Sequence, residues 1–129
     1  MSKKGALSGI WSSDKQAIEC KLPIIIFEED NSHIFYCPAL DLSGYGETEG
    51  EASDSFEDVL SEYFKYTTNK GTLAKDLRRH GWIVRKSMKK KASPPPLSKL
   101  LQTNDDFSRI FNNHDFKKTE TVVSLPAIA

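Results

Sequence analysis

Only two cysteines, Cys20 and Cys37, occur in the 129 residues. They are too few and too far apart for a disulfide framework or for a zinc site built from paired ligands, and they read as buried thiols. Histidine is almost as sparse. His33, His80 and His114 fall on separate segments, with no spacing that brings two onto one helical face, so a metal site has no support. Net charge is missing as well: 18 basic residues balance 18 acidic ones. No global field therefore draws the chain to nucleic acid or to an anionic membrane, and electrostatic work falls to local patches. The longest purely apolar run, Leu22 to Phe27, contains Pro23 and falls far short of the roughly 20 residues that cross a bilayer. The start, Met1-Ser2-Lys3-Lys4, lacks an apolar h-region and a small-residue cleavage site, so a cytoplasmic location is the expectation.

Catalytic constellations are also wanting. Gly44-Tyr45-Gly46 lacks the remaining glycines of a dinucleotide fingerprint and the Lys-Ser/Thr of a P-loop, and reads as a turn. Ser43 and Ser53 have no histidine within predictable reach, and Cys37 sits in an apolar run without a basic environment to activate its thiol. Glu28, Glu29 and Asp30 are consecutive residues of a turn, whose side chains point in different directions rather than converging on a cation. Neither an enzyme nor a cofactor is expected.

What is there is a pattern of short strands leading into one strong helix. Ile18 to Phe27 alternates and then turns continuously apolar, as a strand does on entering the centre of a sheet. Pro23 cannot donate to a ladder, so this strand is either bulged there or begins after it. The polar turn Glu28 to Ser32 and the aromatic run His33 to Cys37 complete a hairpin, and a third, glycine-rich strand is expected around Leu42 to Gly50. Phe56, Val59, Leu60, Tyr63, Phe64 and Thr67 then form one apolar helical stripe that Gly71 stops. Asp54 with Glu57 fits a capping box at its start, with Ser53 or Ser55 as the alternative cap. A short helix, Leu73 to Arg79, follows Thr72, and Trp82 to Arg85 reads as a fourth short strand.

Lys86 to Pro96 is a Lys/Pro-rich stretch of linker composition, and the domain edge is placed there, with the linker proper at 87–96. Beyond it, in an extension over 97–129, Leu97, Leu100 and Leu101 mark a helical turn or two. Asn104 is positioned to cap a helix carrying Phe107, Ile110 and Phe111, and Thr119 to Leu125 is a β-branched strand. Met1 to Trp11 offers little to bury, and residues 1–17 are expected to be flexible. The class is α+β: a three-stranded antiparallel sheet plus a fourth short strand, packed by one main amphipathic helix, with short helices and a strand behind.

Charge is segregated along the chain. From Glu28 through Glu62 acids are many and lysine and arginine are absent, whereas from Lys65 through Lys91 Asp76 is the only acid. Glu28, Glu29, Asp30, Glu47, Glu49 and Glu51 are the candidate partner-facing rim; the plainer reading is a solvated surface. Arg85, Lys86, Lys89, Lys90 and Lys91 are the candidate nucleic-acid patch, although lysines ahead of a proline tract more often form a linker.

Within this layout, the stretch from Ile24 to Tyr66 resembles the HicB antitoxin pattern. The matching features are the acidic turn Glu28 to Asp30, the turn Tyr36-Cys37-Pro38-Ala39-Leu40, the glycine-rich strand at Gly44 to Gly46, and Glu51-Ala52 ahead of Phe56. The resemblance covers about a third of the chain and implies a HicB-like domain over 18–86 with a partial RNase H-like fold lacking the nucleases' acidic catalytic set. It implies binding and masking of a small basic HicA-type toxin that cleaves RNA. Many members also carry a C-terminal operator-binding module; the tail after Lys91 has no such spacing, and Asp41-Leu42-Ser43-Gly44 replaces the family's L-P-G-C step. Alternative readings are an oligomeric interaction module of the same fold without a toxin, and a nucleic-acid binder using Lys86 to Lys91. A homodimer or higher homo-oligomer is expected in each, because edge strands need pairing or covering.

Overall fold

A computed structural model of the chain describes residues 18–84 and 92–125. Strand β1 (Ile18–Glu29) turns tightly into β2 (Ser32–Cys37), and β3 (Leu42–Gly46) follows. Glu29 pairs with Ser32, so Asp30 and Asn31 make a two-residue loop. Both have positive φ, 53° and 65°, as the hairpin turn that matches strand twist requires, and Asp and Asn tolerate that region better than most residues.

Helix α1 (Glu49–Lys70) runs 22 residues, buries Ala52, Phe56, Leu60, Phe64 and Thr67 at steps of three and four, and ends at Gly71 with φ 69°. Its start lies further upstream than the Asp54/Glu57 box or the serine caps would place it. Thr48 is the cap, accepting through Oγ1 from the Glu51 N–H at 3.1 Å, while the Glu51 carboxylate accepts from the Glu47 N–H at 2.9 Å. The Thr48-x-x-Glu51 spacing is that of a capping box: Thr48 satisfies one orphan helix donor, and the Glu51 carboxylate reaches back past the cap to the N–H of the preceding residue, Glu47. The helix consequently takes the segment expected to prolong the third strand.

Among the described residues the chain continues through α2 (Leu73–Arg79), β4 (Ile83–Val84), β5 (Ala92–Ser93), α3 (Leu97–Thr103), α4 (Asp105–Asn113) and β6 (Phe116–Leu125). The α+β class holds, and the main sheet is antiparallel throughout in the order β3-β2-β1-β6. The short strand after Trp82 does not join that sheet; it forms a separate two-stranded ladder with β5, Ile83 opposite Ser93 and Val84 opposite Ala92. The place beside β1 belongs to β6, which pairs with it continuously from Phe27–Phe116 to Ile18–Leu125. Pro23 sits within β1 where, among the described residues, β6 is the only neighbouring strand, since β2 pairs only from Ile25 onward. A missing donor is tolerated at such a half-paired position.

Alternation along the strands gives the sheet two faces. Leu22, Ile24, Ile26, Cys37 and Val123 share one face with Gly44, over which α1 lies: a methyl group at Gly44 would stand 2.3 Å from the Phe56 backbone nitrogen. The absent side chains at Gly44 and Gly46 are what allow the helix to sit this close. The other face carries Ile25, Phe27, Ile34 and Tyr36, and the C-terminal helices reach it. Asn104 Nδ2 donates to Tyr36 Oη at 2.9 Å, and the Phe111 and Phe116 rings lie 5.5 Å apart. Leu100, Phe107, Ile110 and Val123 thus belong to the same buried cluster as Ile24, Ile25, Leu60 and Phe64. The segment expected as an extension contributes one edge strand of the sheet and the cover on one face.

Candidate partner-binding end of the sheet

The tight β1–β2 hairpin and the β3–α1 junction come out at the same end of the sheet, because Glu28 pairs with His33 and His33 with Gly46. That register collects all six acids singled out in the sequence: Glu28, Glu29 and Asp30 from the hairpin, Glu47, Glu49 and Glu51 from the junction. Their roles differ. Glu51 is committed to the helix cap. Glu29 faces the C-terminal helix, with Arg109 Nη1 at 3.4 Å and His114 Nε2 at 3.8 Å. Glu28 lies 3.9 Å from His33 Nδ1. Glu49 accepts from Lys117 Nζ at 2.8 Å. Asp30 and Glu47 project from exposed turn positions.

At this end lies an open groove of about 510 Å³, lined by Ile26, Phe27, Glu28 and His33 of the hairpin strands, by Glu49 at the start of α1, and by the α4–β6 junction from Asn113 to Lys117. By strand parity Ile26, Glu28, His33 and Lys117 all belong to the face that α1 covers. Carboxylates in the first turn also suit the positive end of the α1 dipole, which stabilises Glu49 and Glu51 independently of any partner. Arg109, His114 and Lys117 were not singled out in the sequence. They lie far along the chain, and only the β1–β6 pairing brings them to this end.

A second polar region holds the opposite end together. Trp82 Nε1 donates to the Ala39 carbonyl at 2.8 Å, and Tyr36 Oη donates to Asp41 at 2.7 Å while accepting from Asn104. Asn104 also caps α4 through Phe107 N–H at 3.0 Å. Burial, and then the bond to Asp41, raise the Tyr36 hydroxyl far above its ordinary value. Burial likewise pushes the Cys37 thiol up to about 12, which keeps it protonated and unreactive near neutral pH. On α2, Asp76 accepts from Tyr63 and pairs with Arg79. Burial opposes its ionisation, but those hydrogen bonds and the His80 charge outweigh burial and hold the carboxyl below its usual range.

Among the described residues no group of three or more histidine, cysteine or carboxylate side chains is arranged to hold a metal ion, and no helix is long and apolar enough to cross a membrane. Arg85, Lys86, Lys89, Lys90 and Lys91 lie outside the described residues, as do residues 1–17. No protein-family model, no curated protein and no solved structure matches this chain.

Proposed function

We propose that this chain is a protein-binding module that receives a small basic protein on the acidic end of its sheet. Following the HicB-like features of residues 24–66, the partner is an RNA-cleaving toxin of the HicA type, and the module works by occupying the surface that would otherwise hold RNA phosphates. The observation that carries the reading is the gathering of Glu28, Asp30, Glu47 and Glu49 at one sheet end by two separate chain reversals. A carboxylate array on a rigid sheet end complements a phosphate-binding surface in charge, and such complementarity raises association rate and partner selectivity.

The test is growth rescue. Cells expressing a HicA-type toxin are rescued by the wild-type chain, and the toxin co-purifies with it. The variant carrying Glu28→Gln, Asp30→Asn, Glu47→Gln and Glu49→Gln, shown by circular dichroism to be folded, loses both. Failure of the wild-type chain to rescue or to retain the toxin overturns the reading, as does undiminished rescue by the quadruple variant.

A further inference from the structure

Three stretches far apart in the chain meet around a cleft of about 510 Å³: the turn after β2, the end of α2 and the α3–α4 elbow. Each is pinned to the next. Trp82 Nε1 ties the segment after α2 to the Ala39 carbonyl, and Asn104 Nδ2 ties the elbow to the Pro38 carbonyl. The concavity is thus built into the fold, its apolar lining includes the buried Pro38 and Leu100, and its size suits a small molecule. Two tyrosines set charged groups along it. Buried Tyr36 donates to Asp41 Oδ1 at 2.7 Å while accepting from Asn104, which fixes one oxygen of a carboxylate lining the cleft and leaves Oδ2 for a ligand. Half-buried Tyr63 donates to Asp76, and Asp76 in turn holds Arg79 by its carboxylate and His80 Nδ1 by its backbone carbonyl at 3.0 Å. Arg79 and His80 line the same cleft, with Arg78 and Lys99 as further cations and Asp105 and Asp106 as further carboxylates. Among the described residues none of these cations is ion-paired with Asp41, Asp105 or Asp106; Arg79 and His80 pair instead with Asp76, which is not part of the lining. Opposite charges within reach of one another pair, so the cleft holds its two signs apart.

We propose that this cleft binds a small zwitterion of the amino-acid or short-peptide class, its ammonium on Asp41 and its carboxylate on Arg78 and Lys99. A purely anionic ligand would meet three carboxylates there, and a purely cationic one three fixed cations. A molecule carrying both charges meets neither penalty. Arg78 gives one N–H to the Val84 carbonyl at 3.3 Å and keeps the rest of its fork for a carboxylate. Asp41 is the better-placed acceptor for an ammonium because the Asn104–Tyr36 chain of hydrogen bonds orients it from beneath, so little is lost in ordering it when a ligand arrives. The site is distinct from the acidic sheet end and does not depend on the docking reading.

The experiment titrates the full chain with triglycine at neutral pH and low salt, following the backbone amide shifts of Gly81, Lys99 and Asp105. Triglycine amide and N-acetyl-triglycine, each lacking one charge, are titrated beside it. Triglycine gives saturable shifts, and each blocked form binds about three- to fivefold more weakly, the range that exposed charge contacts support. Asp41→Asn keeps an acceptor for the Tyr36 hydroxyl, so the fold is retained, as circular dichroism checks. It weakens triglycine by a similar factor and leaves N-acetyl-triglycine unchanged, whereas Lys99→Met weakens triglycine and leaves the amide unchanged. Absence of saturable shifts with triglycine overturns the proposal. Equal affinities for the three peptides, or variant effects that fall alike on charged and blocked forms, overturn it as well.

Discussion

Asn104 and Tyr36 lie 68 positions apart in the chain, yet the Asn104 amide donates to the Tyr36 hydroxyl at 2.9 Å. The same amide reaches the Pro38 carbonyl at 3.3 Å, and its oxygen caps α4. One side chain therefore fixes the angle at which the C-terminal helices enter, orients the tyrosine that supports Asp41, and tethers the turn after β2. Asn104→Ala is expected to destabilise by about 2 kcal/mol, combining a lost cap with lost polar contacts. Tyr36→Phe should cost about 1 kcal/mol. Because the two share a bond, the double variant falls short of their sum, which urea unfolding at unchanged m-value measures.

The glycines of β3 and the glycine after α1 separate two kinds of constraint. Gly44→Ala puts a methyl group 2.3 Å from backbone of α1, and a helix backbone cannot yield as a flexible side chain does. About 3 kcal/mol is expected to be lost, at the upper end of overpacking costs. Gly71→Ala meets nothing within 4 Å, but φ there is 69°, so the cost is only the left-handed backbone penalty of about 1 kcal/mol. Equal losses at the two positions would contradict the close approach of α1 to β3.

Much of this was legible in the sequence, and the failures share a cause. The hairpin, the α1 stripe, the Gly71 stop and the Asn104 cap follow from local periodicity and turn chemistry, which a single segment displays. The start of α1 was also written locally, in Thr48 and Glu51, but the acids at Asp54 and Glu57 offered a competing box nearer the apolar stripe. What no local pattern carries is strand partnership. Trp82 to Arg85 and Thr119 to Leu125 are both β-branched or aromatic runs, and either suits a place beside β1. Length separates them physically: β6 has ten residues to match the long exposed side of β1, whereas β4 has two. The same gap explains the acidic end. Its carboxylates were recognisable because they cluster in sequence, while Lys117, Arg109 and His114 became their neighbours only through a pairing that spans most of the chain.

Stability should form a plateau bounded by different groups on its two sides. On the acid side, the Asp76 carboxyl titrates below its ordinary value in the folded state. Its contribution is therefore present above the unfolded value, near pH 4, and is lost as pH falls through the lower folded one. Asp76→Asn should flatten that limb of the stability–pH curve. On the alkaline side, the Cys37 thiol is raised to about 12, and Tyr36 and Tyr63 are raised as well. Folded-state values above unfolded ones mean that stability is full below roughly pH 8.5, the ordinary thiol value, and declines above it as the unfolded chain ionises first. Unfolding midpoints from pH 3 to pH 11 locate both limbs.

The buried thiols give a readout of the same core. Cys20 and Cys37 are both buried, and Cys37 is fully enclosed at 0% exposure. Modification by a disulfide reagent at pH 8 is expected to await opening of the structure, so that reaction tracks the unfolded fraction as urea is raised. Asn104→Ala should shift that dependence to lower urea by the amount its stability loss dictates. Rapid reaction of Cys37 in the native protein would contradict its enclosure beneath the turn that Trp82 and Asn104 hold.

Removal of β6 is the sharpest test of where the domain ends. If residues after the Lys/Pro-rich stretch were an appended unit, a chain stopped after Arg85 would keep the β1–β2–β3 sheet with α1 and unfold cooperatively. In the structure such a chain loses the whole β6 strand along β1, the apolar side chains of Phe107 and Ile110 from the buried cluster that includes Ile25 and Phe27, and the Asn104 contacts to the turn after β2. It is left with β1, a twelve-residue strand rich in isoleucine, as an open sheet edge, and such edges pair between molecules. The truncated chain is expected to aggregate or to lose its cooperative transition. A second truncation, stopping after Asp115, retains α3 and α4 but still exposes that edge, and should fail in the same way. Light scattering together with near-ultraviolet circular dichroism distinguishes these outcomes from the folded, monodisperse fragment that a separable extension would leave behind.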